Sequence, residues 1–369
     1  MRDPAKYLPR FLCVAALVLV AAVALTYAVD PLQLFRPARL FAAMYSQDPR
    51  IQDAGLIRSQ PFDTAFMGTS LAVHYRQSDI DRHLGVRSLK LAFAGGRSKE
   101  QKFVLDAAME RRPKRILWSM DEWIFRDSAD VDADNSYLPV NLYRRNASGI
   151  ASYLSSGSMA RESLWIALRS IPPLEPLIAR LTTGVIFRFA IANVDDINAL
   201  HRSFDVAGFY NAKNALAAFR RDTDPANRAL IAAGYDYDAM VRNFERDAIG
   251  LIAGNADVKF DIYFPPYSIL QFVAMRDASP STLKIVTDFS AYAAPRLLQF
   301  SNVTLHDFRE AREITHDLNN YGDLIHHSPA TDVKVLQLLA AKKYMVDRSA
   351  PLASLERLKA QIEAYQVER

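Results

Sequence analysis

The chain is 369 residues long, half of them hydrophobic and 23% charged, a balance that supports a packed core and excludes wholesale disorder. Its 45 Lys and Arg offset 41 Asp and Glu to a net charge of +4, with no run of five like charges, which argues against a basic nucleic-acid-binding arm. The one cysteine, Cys13, excludes a disulfide framework or a cysteine-rich zinc site within the chain.

The first element is an uncharged run of 19 residues from Phe11 to Val29, FLCVAALVLVAAVALTYAV. As a helix it reaches about 28 Å, close to the roughly 30 Å hydrocarbon core of a bilayer. Arg2, Lys6 and Arg10 precede it against Asp3 alone. The positive-inside bias then assigns residues 1–10 to a cytoplasmic tail, 11–29 to a transmembrane helix or uncleaved signal anchor, and 30–369 to the far side. A cleaved signal peptide is the competing reading, because Ala22-Val23-Ala24 and Tyr27-Ala28 offer small-residue sites. Cys13 starts the apolar run instead of following it, which argues against lipidation, and no second apolar run of 18 residues returns the chain.

Beyond the run, strand-like apolar segments occur at residues 64–68, 89–94, 115–120, 259–264 and 303–307. Several are continuous, as expected for strands of a parallel sheet buried on both faces. Helical patterns lie at 99–111, 282–300, 329–344 and 353–365. This alternation predicts a doubly wound α/β domain. It breaks between about 127 and 254, where Leu164-Trp165-Ile166, Pro172-Pro173 and helical patterns at 211–221 and 238–253 read as a helical insertion, a lid or docking surface.

Two local patterns carry chemistry. Phe66-Met67-Gly68-Thr69-Ser70-Leu71 puts Ser70 just after the first strand, at the end of the sheet where ligands bind and at the start of a helix. Helix capping is its plainer role. Tyr321-Gly322-Asp323-Leu324-Ile325-His326-His327-Ser328-Pro329 precedes a terminal helix. An Asp three residues before a His can fold back onto Nδ1 and leave Nε2 as a general base. A polar turn capped by Ser328 and a metal-binding histidine pair are the alternatives, although few companion ligands exist for a metal. His74, one helical turn beyond Ser70, reads as a pocket residue or a core histidine. Asp307 and Phe264-Pro265-Pro266-Tyr267 fall at strand ends on the same sheet edge.

The order Ser…Asp…His, with acid and base close together near the carboxyl terminus, resembles the SGNH/GDSL hydrolase superfamily. More narrowly, the chain resembles its membrane-anchored extracytoplasmic branch, which includes alginate O-acetyltransferase-like and D-alanyl-lipoteichoic acid transfer proteins. Asp30-Pro31, Gly68-Thr69-Ser70, Leu91-Ala92-Phe93-Ala94-Gly95-Gly96 and Asp323-x-x-His326-His327-Ser328-Pro329 carry the likeness, over roughly residues 1–126 and 255–345. The resemblance implies a three-layer α/β/α flavodoxin-like domain on the periplasmic side of the cytoplasmic (inner) membrane. It makes Ser70 the nucleophile, His326 the base and acid, and Asp323 the residue orienting it, with His327 as the competing base. Ser70 and Gly95 or Gly96 would donate backbone N–H groups to the oxyanion. The family's third-block Asn is replaced here by Asp121, which accepts hydrogen bonds when ionised. The implied activity is O-acetyl or acyl transfer to a cell-envelope polysaccharide, with an integral-membrane acyltransferase as a partner and no cofactor or metal. Ester hydrolysis and a non-catalytic role in exopolysaccharide assembly are the alternatives.

Overall fold

Short runs of apolar and aromatic residues become the strands of this chain. In order they are β1 (Tyr45–Ser46), β2 (Thr64–Met67), β3 (Ser88–Lys90), β4 (Arg115–Ser119), β5 (Phe189–Ile191), β6 (Lys259–Phe264) and β7 (Val303–Asp307). The computed structural model describes residues 7–126, 138–144, 146–181, 189–197 and 208–367. Contacts divide the chain into two units, Met1–Gln60 with Tyr137–Ile197, and Pro61–Ser136 with Asn198–Arg369.

The second unit holds a five-stranded parallel sheet in the order β3-β2-β4-β6-β7. Met67 pairs with Trp118, Trp118 with Ile262, and Ile262 with Leu305. All of β2 and β3 is buried, as is β6 beyond Lys259. Successive side chains point to opposite faces, so both faces of the sheet are covered, which is why the strands read as continuous apolar runs. The run expected at 89–94 gives a shorter strand. Even so, Leu91 and Phe93 N–H still donate to the Phe66 and Gly68 carbonyls, at 2.8 and 3.2 Å.

Ser98–Met109 joins β3 to β4, and Pro280–Leu298 precedes β7. Pro329–Ala340 starts where the Ser328 hydroxyl accepts from Thr331 N–H and Pro329 opens the first turn. The helix Ile269–Ala278 had no amphipathic signature, for a physical reason. Ile269, Leu270, Phe272, Val273, Ala274 and Met275 are all buried, so no polar stripe marks it.

The stretch 127–254 is largely helical where described, with Ala147–Leu154, Gly157–Arg169, Glu175–Leu181, Ala212–Thr223 and Tyr237–Phe244. Residues 127–137 and 198–207 fall outside the described residues. Strand β5 pairs antiparallel with β1 in a separate two-stranded sheet and adds nothing to the parallel one. The stretch is shared between the units, since Tyr137–Ile197 joins the N-terminal residues and the remainder joins the sheet.

In the first unit, Tyr7–Val29 forms one 23-residue helix, long and apolar enough to cross a membrane. The chain turns out of it around Asp30. That carboxylate accepts from the N–H groups of Leu34, Phe35 and Arg36 and from the Tyr153 hydroxyl. Arg36 donates back to the Ala28 carbonyl, satisfying the helix end.

Candidate active site

The nucleophile candidate sits where β2 turns sharply into a short helix, Ser70–Val73. Gly68 makes that turn possible. A Cβ there would lie 2.5 Å from Ala72 Cβ and 2.9 Å from Ser119 Cβ. Thr69 caps the helix, its oxygen facing Leu71 N–H at 3.5 Å, and Ser70 is the first helical residue. Thr69 also accepts from Ala72 and Val73 N–H through its carbonyl, so of this helix start it is Ser70 N–H that stands beside the serine side chain as a backbone donor.

Its partner arrives from 256 residues further along the chain. In the turn before Pro329–Ala340, Asp323 Oδ1 accepts from Ile325 N–H at 2.8 Å and His326 N–H at 2.7 Å. Asp323 Oδ2 lies 2.6 Å from His326 Nδ1. Gly322 N–H donates to the His326 carbonyl, closing the loop. The ring is thereby aimed outward, and His326 Nε2 stands 3.0 Å from Ser70 Oγ. Burial pushes the Asp323 carboxyl up, but its bonds to the His326 ring and to two backbone N–H groups outweigh this and hold it below the usual carboxylate range. An ionised Asp323 fixes the tautomer with the proton on Nδ1 and leaves Nε2 to accept from Ser70.

The two neighbouring histidines are placed differently. His327 is buried against the helix that follows, with Nδ1 3.1 Å from Asp332 Oδ1. His326 is therefore the ring that meets Ser70. His74 is also buried, its ring centroid 6.5 Å from that of His326, so it packs behind the base without joining the serine.

Of the glycines, Gly95 has φ +71° and open space where a Cβ would stand. Gly96 is required by packing, since a Cβ would fall 2.4 Å from the Phe93 ring. Its N–H donates to the Phe93 carbonyl, 3.4 Å away. The Phe93–Gly68 backbone bond starts this loop beside the strand end that carries Ser70. Gln101 pins the loop by donating to the Gly96 carbonyl at 3.1 Å and accepting from Trp118 Nε1–H at 2.7 Å.

Asp121 is fully buried, and both of its oxygens are occupied. Thr69 Oγ1 donates to Oδ2 and the Tyr267 hydroxyl to Oδ1, each at 2.6 Å. Thr69 follows β2, Asp121 follows β4 and Tyr267 follows β6, so one carboxylate ties three strand ends together beneath the serine turn. Burial pushes its carboxyl up to about 6, against the lowering effect of the two hydroxyls. Thr69 belongs to the Gly68-Thr69-Ser70 segment and Tyr267 to the Phe264-Pro265-Pro266-Tyr267 segment that the sequence places at this sheet edge, but no local pattern ties either to Asp121, and Gln101 carries no local signal. Asp307 is spoken for. It binds Arg309 Nε and Nη2, while Arg309 also pairs with Glu122, all three being buried.

A cavity of about 340 Å³ opens beside Asp323, not over Ser70. Trp123, Tyr235, Tyr267, Arg126 and Arg221 line it with the acid. Among the described residues, no cluster of three or more His, Cys, Asp or Glu side chains is placed to hold a metal ion. No family model matches this chain, and no curated protein matches it.

Proposed function

We propose that the sheet unit carries out serine-dependent acyl-ester chemistry, with O-acyl transfer to a cell-envelope polysaccharide as the best-supported form. The observation that carries this is the Ser70–His326–Asp323 chain of contacts, 3.0 and 2.6 Å long. In the reaction, Ser70 Oγ attacks the acyl carbonyl while its proton passes to His326 Nε2. Asp323 stabilises the imidazolium, which then protonates the departing alkoxide and leaves an acyl-Ser70 ester. An acceptor hydroxyl next gives its proton to His326, attacks that ester and regenerates Ser70. Water in place of the acceptor makes the same site an esterase. The cycle balances with no cofactor.

Ser70 N–H and Gly95 N–H are the donors proposed for the oxyanion. Asp121 takes no part, because its oxygens serve Thr69 and Tyr267. Doing without one further donor costs about 2.7–4 kcal/mol of transition-state stabilisation, so slow turnover is expected. The cavity supports transfer, since its mixed lining of aromatic and charged side chains beside Asp323 suits a hydroxyl-bearing acceptor. The strand order β3-β2-β4-β6-β7 supports a three-layer flavodoxin-like domain of SGNH hydrolase type. It also puts Ser70 and Asp121 at the switch point, where the chain order of the strands reverses. The apolar helix and its basic flank support a single-pass anchor in the cytoplasmic membrane with this domain outside. There an integral-membrane acyltransferase is the proposed donor of the acyl group.

The test is turnover of an acetyl ester and acetylation of envelope glycan by wild type, Ser70→Ala and His326→Ala. Each variant should lose activity, and the double variant should be no worse than either single one because the residues act as a unit. Full acylation by Ser70→Ala would exclude the nucleophile role and leave a binding or assembly component.

A further inference from the structure

The apolar helix is only partly free to meet lipid. Between Tyr7 and Ala21 every residue is exposed, a continuous stretch of about 22 Å. From Ala22 onward the helix is covered on one side. Ala22, Val23, Leu25 and Ala28 are half-buried, and Thr26 and Val29 are buried. The covering elements are Ala147–Leu154 and Gly157–Arg169, both of the same unit. A hydrocarbon core of about 30 Å exceeds the free stretch by about 8 Å, more than a helical turn. A bilayer crossed by this helix therefore reaches the level of the helices packed on it.

Gly157–Arg169 is built for that position. Its buried side is Met159, Glu162, Ser163, Trp165 and Ile166. On the opposite side, at helical spacing, come Leu164, Leu168 and then Ile171 just past its end. Leu164 and Ile171 are 50% and 45% exposed, and Leu177 on the next helix is 54% exposed. Exposed leucine and isoleucine opposite a buried side suit a site with protein on one side and lipid on the other. Arg161, Arg169 and Arg180 border the patch, and Arg169 lies over the Trp165 ring at 5.5 Å. Arginine beside exposed leucine and isoleucine suits an interfacial position, where the stems lie in the apolar boundary while the charges reach headgroups.

We infer that residues 157–181 form a collar around the anchor, with Leu164, Ile171 and Leu177 seated in the outer headgroup and acyl boundary of the bilayer. The occupant of this exposed face is lipid, because a bilayer crossed by the anchor is thicker than the anchor's fully exposed stretch and so overlaps the helices packed on it. The inference rests on the proposed membrane-spanning role of Tyr7–Val29.

The experiment uses the full chain in vesicles of phosphatidylethanolamine and phosphatidylglycerol. An environment-sensitive fluorophore is attached at single cysteines replacing Leu164, Ile171 or Leu177 in a Cys13→Ser background. Native Cys13 reports on the anchor, and Ser349→Cys gives the water-exposed reference. The collar predicts several-fold weaker quenching by iodide at the three sites than at Ser349→Cys, together with quenching by nitroxides placed high on the lipid chains. Lipid quenching at Cys13 with full iodide access at the three sites overturns the collar while the anchor stands, leaving that face to a protein partner. Iodide access at Cys13 as well overturns the anchor and the collar together.

Discussion

Asp323 holds His326 through one side-chain contact and one backbone N–H, and it accepts a second N–H from Ile325. An asparagine there keeps acceptors for the backbone but presents an amide N–H to the ring, which favours the tautomer with its proton on Nε2. Asp323→Asn should therefore lower ester turnover by on the order of 10⁴-fold with little change in Tm. A loss no larger than about tenfold would remove Asp323 from the orienting role. Asp121 has the opposite electrostatics. Its folded-state carboxyl titrates at about 6, above the roughly 3.9 of an unfolded chain. The folded state thus binds more protons than the unfolded one between these values. Its contribution is fully present below pH 4 and is lost as the pH rises through 6, on the order of 3 kcal/mol in all. Asp121→Asn removes this titration, so the fall in stability between pH 4 and pH 6, read from denaturant midpoints, should be smaller in the variant than in wild type. Equal slopes would show that Asp121 is not the titrating group.

Elements decide whether these residues meet. The turn from β2 into Ser70–Val73 exists because Gly68 leaves room for Ala72 and Ser119. Gly68→Ala should cost about 1–3 kcal/mol through overpacking and should also displace Ser70, so turnover falls even where the protein remains folded. Unchanged thermal melting together with unchanged turnover would contradict the contact distances. The turn itself was legible, since strand, glycine and serine follow one another directly in the chain. So was the Asp-x-x-His turn, because a carboxylate reaching an N–H two or three residues on is local chemistry. The helix Ile269–Ala278 was not legible, because burial on all sides erased the periodicity by which helices are recognised.

For the whole molecule, the proposed anchor and the proposed acyl chemistry make a joint demand, that the sheet unit lies outside the cytoplasm. A reporter active only outside the cytoplasm and fused after Arg369 should be active, and the intact mass of the purified protein should retain Met1 or Arg2. A mature chain beginning near Val29 would turn the anchor into a signal peptide, while a silent reporter would reverse the topology. In either case the Ser70–His326 contact stands, because both residues belong to the sheet unit.

Composition and local pattern by themselves determined the apolar span, the strand runs of the parallel sheet and the two segments that carry Ser70 and Asp323-x-x-His326. Each is set by forces acting within a few residues, namely burial periodicity, turn chemistry and helix capping. Only the tertiary structure chose between adjacent histidines. Which ring faces Ser70 depends on how the turn seats against the start of Ser70–Val73, a segment 256 residues away, while His327 lies beside Asp332 instead. It alone tied Thr69 to Asp121 and Tyr267, partners 52 and 146 residues from Asp121 that no local pattern relates. It alone divided the helical middle between two units and covered the last turns of the apolar helix. Those outcomes rest on contacts between distant segments, whose free energy is realised only when the whole chain has packed.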